Sequence, residues 1–143
     1  YEGLTGVLER HQERGLPDLG FREDYVRCAK ALALGGSAEG QDLLVGMPLE
    51  LLAEENPYLT KSTNLPVRLF WQGEPVPDIQ IRIFHKGVEN EEKTVRTDAE
   101  GRAQIPLTAT GFFLLNAVHM LEVEQDNGAV WKSYWASLSF TYQ

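Results

Sequence analysis

The sequence predicts a mainly β fold: an antiparallel sandwich from about Met47 to Tyr142, preceded by a short helical segment. Three observations carry this expectation. Ile79 to Phe84 (IQIRIF) alternates cleanly, with Ile79, Ile81 and Ile83 on one face and Gln80 and Arg82 on the other. Turn-forming clusters recur at short intervals at Asn56-Pro57, Gln72-Gly73, Asp98 to Gly101 and Gln125 to Gly128. The last third, Gly111 to Phe140, consists of two long alternating runs separated by the Asp126-Asn127-Gly128 turn.

The elements follow in order. Leu4, Val7, Leu8 and His11 recur at helical spacing and stop before Gly15-Leu16-Pro17, which predicts a helix over Gly3 to Arg14. Phe21 to Leu34 is ambiguous, because its alanines suit a helix whereas Tyr25-Val26 and the following Gly35-Gly36 suit a strand and turn. Gly36 to Asp42 is a loop, and Met47 to Ala53 and Leu65 to Trp71 are strands. After Ile79 to Phe84, the polar block Lys86 to Lys93 closes a hairpin. Thr94 to Thr97 is expected to pair with Arg102 to Leu107 across Asp98-Ala99-Glu100-Gly101. Phe112 to Glu122 is expected to pair with Val130 to Tyr142. This places residues 1–42 as a helix and connecting segment and 43–143 as the sandwich. The alternation predicts a core of Ile79, Ile81, Ile83, Leu115, Ala117, Leu138 and Phe140.

Composition narrows the function. With 21 acidic and 13 basic side chains the formal net charge is −8, which disfavours nucleic acid and anionic membranes as partners. Cations, neutral sugars and basic proteins remain compatible. The single cysteine, Cys28, excludes an intrachain disulfide and any cysteine-based zinc motif. No apolar run is long enough to span a bilayer as a helix. The sequence begins at Tyr1 without a methionine or a signal peptide, which predicts a processed or partial chain.

Two groups of residues could carry chemistry. His119 lies in an apolar strand near Glu122, Glu124 and Asp126, a donor mixture suited to Ni²⁺, Co²⁺ or Zn²⁺, with His85 as a further partner. Parity, however, puts His119 with Ala117 and Leu121 and puts Glu122 and Glu124 on the opposite face. Pairing Val123 with Val130 sets His119 against Tyr134, on the face of Ala136, Leu138 and Phe140. A neutral histidine hydrogen-bonded within the core is the reading that parity favours. His85, at a strand end beside Lys86, reads as a rim residue. Trp131 and Trp135, with Tyr134 between them, form the candidate ligand platform. In a strand the two tryptophans share a face about 13 Å long, beside Ser133 and Ser137. The competing expectation is that this face packs beneath a loop or an upstream segment. The serines lie in no nucleophile-elbow motif and the carboxylates form no recognisable dyad, so the sequence predicts a protein that is not an enzyme.

The segments YVRCAKAL (Tyr25 to Leu32), GMPLELLAEENPY (Gly46 to Tyr58), LPVRLFWQGEPVP (Leu65 to Pro77), TDAEGRAQIPL (Thr97 to Leu107), NAVHM (Asn116 to Met120) and WKSYWASLSF (Trp131 to Phe140) occur in this order. Together they resemble a bacterial family known mainly as a domain of unknown function, whose members are often described as periplasmic components associated with nickel or cobalt uptake. Tyr1 to Gly15 resembles the helical stretch preceding these segments. The resemblance implies an immunoglobulin-like or transthyretin-like sandwich and favours a strand at Phe21 to Leu34. It also implies an upstream half carrying a signal peptide, and a periplasmic or secreted location. The expected role is a non-catalytic accessory or binding domain linked to nickel or cobalt uptake, with a divalent metal or a membrane transporter component as partner. The alternative is a carbohydrate- or protein-interaction module with no metal role.

Overall fold

The computed structural model describes residues 2–87, 93–126 and 128–143, for Gln125 and Asp126 the backbone only. A helix, α1 (Thr5–Glu13), is followed by β1 (Arg22–Ala31), β2 (Leu49–Ala53), β3 (Asn64–Trp71), β4 (Glu74–Pro75), β5 (Gln80–His85), β6 (Lys93–Arg96), β7 (Arg102–Pro106), β8 (Gly111–Asp126) and β9 (Ala129–Tyr142). The strands form two sheets. One has the order β1-β9-β8-β5-β6; in the other, β3 pairs with β2 along one edge and with β4 and β7 along its other. The expected β-sandwich is therefore the observed architecture. The tip of the Lys86 to Lys93 loop and Asn127 of the last turn lie outside the described residues.

The parity argument holds for the core. Ile81, Leu115, Ala117, Leu138 and Phe140 are essentially inaccessible, Ile83 is buried, and Ile79 packs on the same cluster. The facing sheet contributes Leu49, Leu51, Leu65, Val67, Leu69, Ala103 and Ile105. The β8–β9 register sets His119 against Tyr134, the partner expected from pairing Val123 with Val130. Truncation of a fully buried leucine removes transfer free energy and leaves a cavity. Leu138→Ala is accordingly expected to cost about 2–5 kcal/mol, read from the urea midpoint.

Two expectations are corrected. Thr94 to Thr97 does not form a hairpin with Arg102 to Leu107. β6 pairs with β5 in one sheet and β7 with β3 in the other, so the connection crosses between layers. The turn itself is well made: Asp98 Oδ1 accepts the N–H groups of Glu100 and Arg102. Buried Thr97 redirects the chain. Its Oγ1 accepts the Ile79 N–H at 2.9 Å and donates to the Val76 carbonyl at 3.0 Å, tying the end of β6 to the strand-β5 side. Gly101 is required at the crossing, with φ of 74°, because a Cβ there would lie 2.9 Å from the Leu69 carbonyl oxygen.

The second correction concerns strand direction. Every pairing among the described residues is antiparallel except β1 with β9, which is parallel over Arg22 to Ala31. A tight hairpin enforces antiparallel pairing. Strand β1 reaches β9 without one, entering from α1 and leaving through the long 32–48 loop. The five-stranded sheet thus begins before the boundary drawn at residue 42.

α1 ends as its glycine signal predicts. Gly15 (φ 63°) donates to the Gln12 carbonyl and Leu16 to that of His11, the Schellman pattern that satisfies the last helical acceptors.

Candidate functional site

His119 projects inward at the rim of the sandwich, where it meets rings rather than carboxylates. Trp71 of the opposite sheet lies edge-on to it at 5.1 Å between centroids and edge-on to Tyr134 at 4.5 Å. Among the described residues the imidazole has no hydrogen-bond partner, so the hydrogen bond anticipated for a core histidine is replaced by aromatic contact. Burial holds its pKa below the ordinary histidine value. The folded chain therefore releases this proton more readily than the unfolded chain, and stability falls as pH drops through about 6.5. Urea midpoints at pH 7.5 and 5.5 are expected to differ more for the natural protein than for His119→Phe.

The other expected metal partners are placed elsewhere. Glu122 lies on the opposite face of β8, where it forms ion pairs with Arg10 and Arg14 of the helical segment. The hydrogen bond from Arg10 holds its carboxyl below the usual glutamate range. His85 lies opposite Phe113, six residues along β8 from His119 and thus about 20 Å away. It stacks on Phe113 at 4.4 Å, and its Nε2–H donates to the Thr110 carbonyl at 3.1 Å. Glu124 is exposed near the end of β8, on the Glu122 side of the strand by parity, and the Asp126 side chain lies outside the described residues. No group of three or more His, Cys, Asp or Glu side chains suited to a metal occurs among the described residues.

The tryptophan platform divides into three environments. Trp131 is buried beneath α1. Its Nε1–H donates to His11 Nδ1 at 2.9 Å, while His11 Nε2–H donates to the Pro17 carbonyl at 3.0 Å. Both bonds together require the neutral Nε2–H tautomer. The Arg14 guanidinium covers the indole at 5.0 Å and donates to the Val130 carbonyl. Tyr134 faces inward against Trp71. Only Trp135 remains half-exposed on the outer face.

Around Trp135 the register assembles a surface that no single segment reveals. Cross-strand partners form rows on the outer face: Arg27–Trp135–Val118, then Ala29–Ser137–Asn116–Arg82, then Ala31–Ser139–Leu114–Phe84. The middle row is the floor of a trough of about 390 Å³, with Trp135 and Arg27 on one wall and Leu114 and Phe84 on the other. Trp135 is held in place because its Nε1–H donates to Ser133 Oγ at 3.0 Å and Ser133 in turn donates to Glu23. Nearby Tyr25, Phe84 and Phe112 are 65%, 38% and 44% exposed. The signal that could have found this face is Tyr25-x-Arg27-x-Ala29, read as a strand beside Trp131 to Ser139 rather than as a helix.

The chain is thus a two-layer β-sandwich with a helix clasped on one outer face and an aromatic trough beside it. It belongs to the family described as a domain of unknown function, DUF4198, whose model matches residues 10–121. The match includes His11, Arg27, Phe84, Asn116 and His119 and ends before Trp131 and Trp135. No curated protein and no solved structure gives a significant match to the chain.

Proposed function

We propose that this chain is a non-catalytic binding domain that takes a carbohydrate in the trough beside Trp135. The observation that carries this reading is the pairing of aromatic walls, Trp135 and Phe84, with a polar floor of Ser137 and Asn116. Rings pack against the apolar faces of sugars, and hydroxyl and amide groups meet their hydroxyls. Size argues in the same direction. About 390 Å³ falls in the range of small-ligand sites. The family resemblance adds a periplasmic or secreted setting as part of this proposal. A role in nickel or cobalt uptake receives less support, because His119 sits among rings and Glu122 is engaged by arginines.

Calorimetric titration with a panel of neutral oligosaccharides and, separately, with Ni²⁺ tests the reading. A sugar from the panel is expected to bind with an affinity reduced about tenfold by Trp135→Ala, equivalent to ~1.4 kcal/mol. Ser137→Trp, which fills the floor while keeping the wall, is expected to abolish binding. Ni²⁺ is expected to give no saturable heat. Micromolar Ni²⁺ binding lost in His119→Ala, with no sugar bound, would replace this proposal by the metal-handling role.

A further inference from the structure

We propose that the trough's ligand carries a single carboxylate, received by Arg27; this rests on the trough being the binding site. The chain has eight arginines in an acidic protein. Arg10, Arg14, Arg22, Arg82, Arg96 and Arg102 each pair with an Asp or Glu, and Arg68 donates to the Glu100 carbonyl. Arg27 alone, among the described residues, has neither a carboxylate nor a hydrogen-bond partner. It is exposed at the trough wall, its guanidinium over the rings of Tyr25 at 5.5 Å and Trp135 at 5.8 Å.

That placement leaves the guanidinium's N–H donors available while two aromatic contacts restrict its position. With no intramolecular acceptor among the described residues, its planar fork of N–H donors can receive a carboxylate in bidentate fashion. Contacts that restrict this side chain beforehand reduce the entropy lost on binding. The acid on the same face of β1, Glu23, is two pleats away with Tyr25 between, and it accepts from Ser133. A second cation in the floor row, Arg82, is paired with Glu2. Among the described residues one positive group therefore faces the trough, within a chain whose net charge is −8. Such a site favours one carboxylate beside an apolar ring face and repels a polyanion.

The test uses three probes: an oligosaccharide ending in one glucuronate, the same oligosaccharide ending in glucose, and polygalacturonate. The glucuronate sugar is expected to bind about tenfold more tightly than its neutral counterpart at 50 mM salt, with the preference shrinking at 500 mM. Arg27→Gln is expected to remove the preference, and Arg27→Lys to keep part of it, because it retains the charge but not the fork. Polygalacturonate is expected to bind more weakly than the mono-glucuronate sugar. Equal affinity of the natural protein for the glucuronate and glucose sugars would overturn the carboxylate assignment and leave the trough reading standing. Tighter binding of polygalacturonate would overturn the single-carboxylate assignment. Binding of none of the three overturns the trough reading and this inference with it.

Discussion

Replacing Lys30 by methionine is expected to destabilise the protein by about 3–5 kcal/mol, because it leaves two buried carboxylates without their cation. Lys30 Nζ lies 2.9 Å from Asp42 Oδ1 and 3.1 Å from Glu50 Oε1, and it donates to the Leu43 carbonyl at 3.1 Å. The Asp42 and Glu50 side chains are each 2% exposed. Glu50 also accepts the N–H groups of Val45, Gly46 and Met47, and Asp42 accepts that of Ala53. One cluster thus joins β1, β2 and the 32–48 loop. Thermal or urea unfolding of Lys30→Met checks the magnitude, and a loss under 1 kcal/mol would show that the cluster is not interdependent.

The same cluster predicts an acid response. Burial pushes the Glu50 carboxyl up, but the Val45 N–H, the Lys30 ammonium and the Met47 N–H outweigh it and hold the group below the ordinary glutamate range. A carboxyl that is more acidic folded than unfolded stabilises the fold above its unfolded pKa of about 4.3, and the contribution disappears as pH falls through the folded value. The stability difference between the natural protein and Glu50→Gln is therefore expected to be constant from about pH 7 to pH 5.5 and to shrink below about pH 4.

Trp131→Ala is expected to cost about 3–5 kcal/mol and to release α1 from the sheet. The indole is 2% exposed and anchors His11, Arg14 and the helix end through one hydrogen bond and one cation–π contact. Amide exchange separates the two effects. Helical amides from Val7 to Arg14 should exchange far faster in the variant, while those of β3 and β8 keep protection in proportion to the global loss. Unchanged exchange in α1 would show that the ion pairs of Glu122 hold the helix without the tryptophan.

These cases also show where sequence reasoning reaches its limit. Alternation in β5, β8 and β9 named the inward residues correctly, because a strand's period of two is a local property. The helix stop at Gly15 was equally legible, since a positive φ is a demand on one residue. The β8–β9 register, His119 against Tyr134, is the one set by pairing Val123 with Val130, although Asp126 pairs with Ala129 at the turn and an irregularity between Glu122 and Asp126 separates the two registers. Asp98 to Gly101, by contrast, has the chemistry of a tight turn whether the flanking strands pair with each other or separate into two sheets. Thr97 decides between them through partners 18 and 21 residues away. Trp131 and Trp135 share a parity, and only α1, folded over one end of the face, makes the first a core residue and leaves the second beside a trough. His119 is the clearest instance: a histidine and nearby carboxylates satisfy the composition of a metal site, but opposite strand faces and two arginines keep them apart. Periodicity determined which side of each strand is apolar. Which strands become neighbours, what covers each outer face and which charges meet were decided by contacts distant in sequence, where backbone direction and side-chain reach outweigh local pattern.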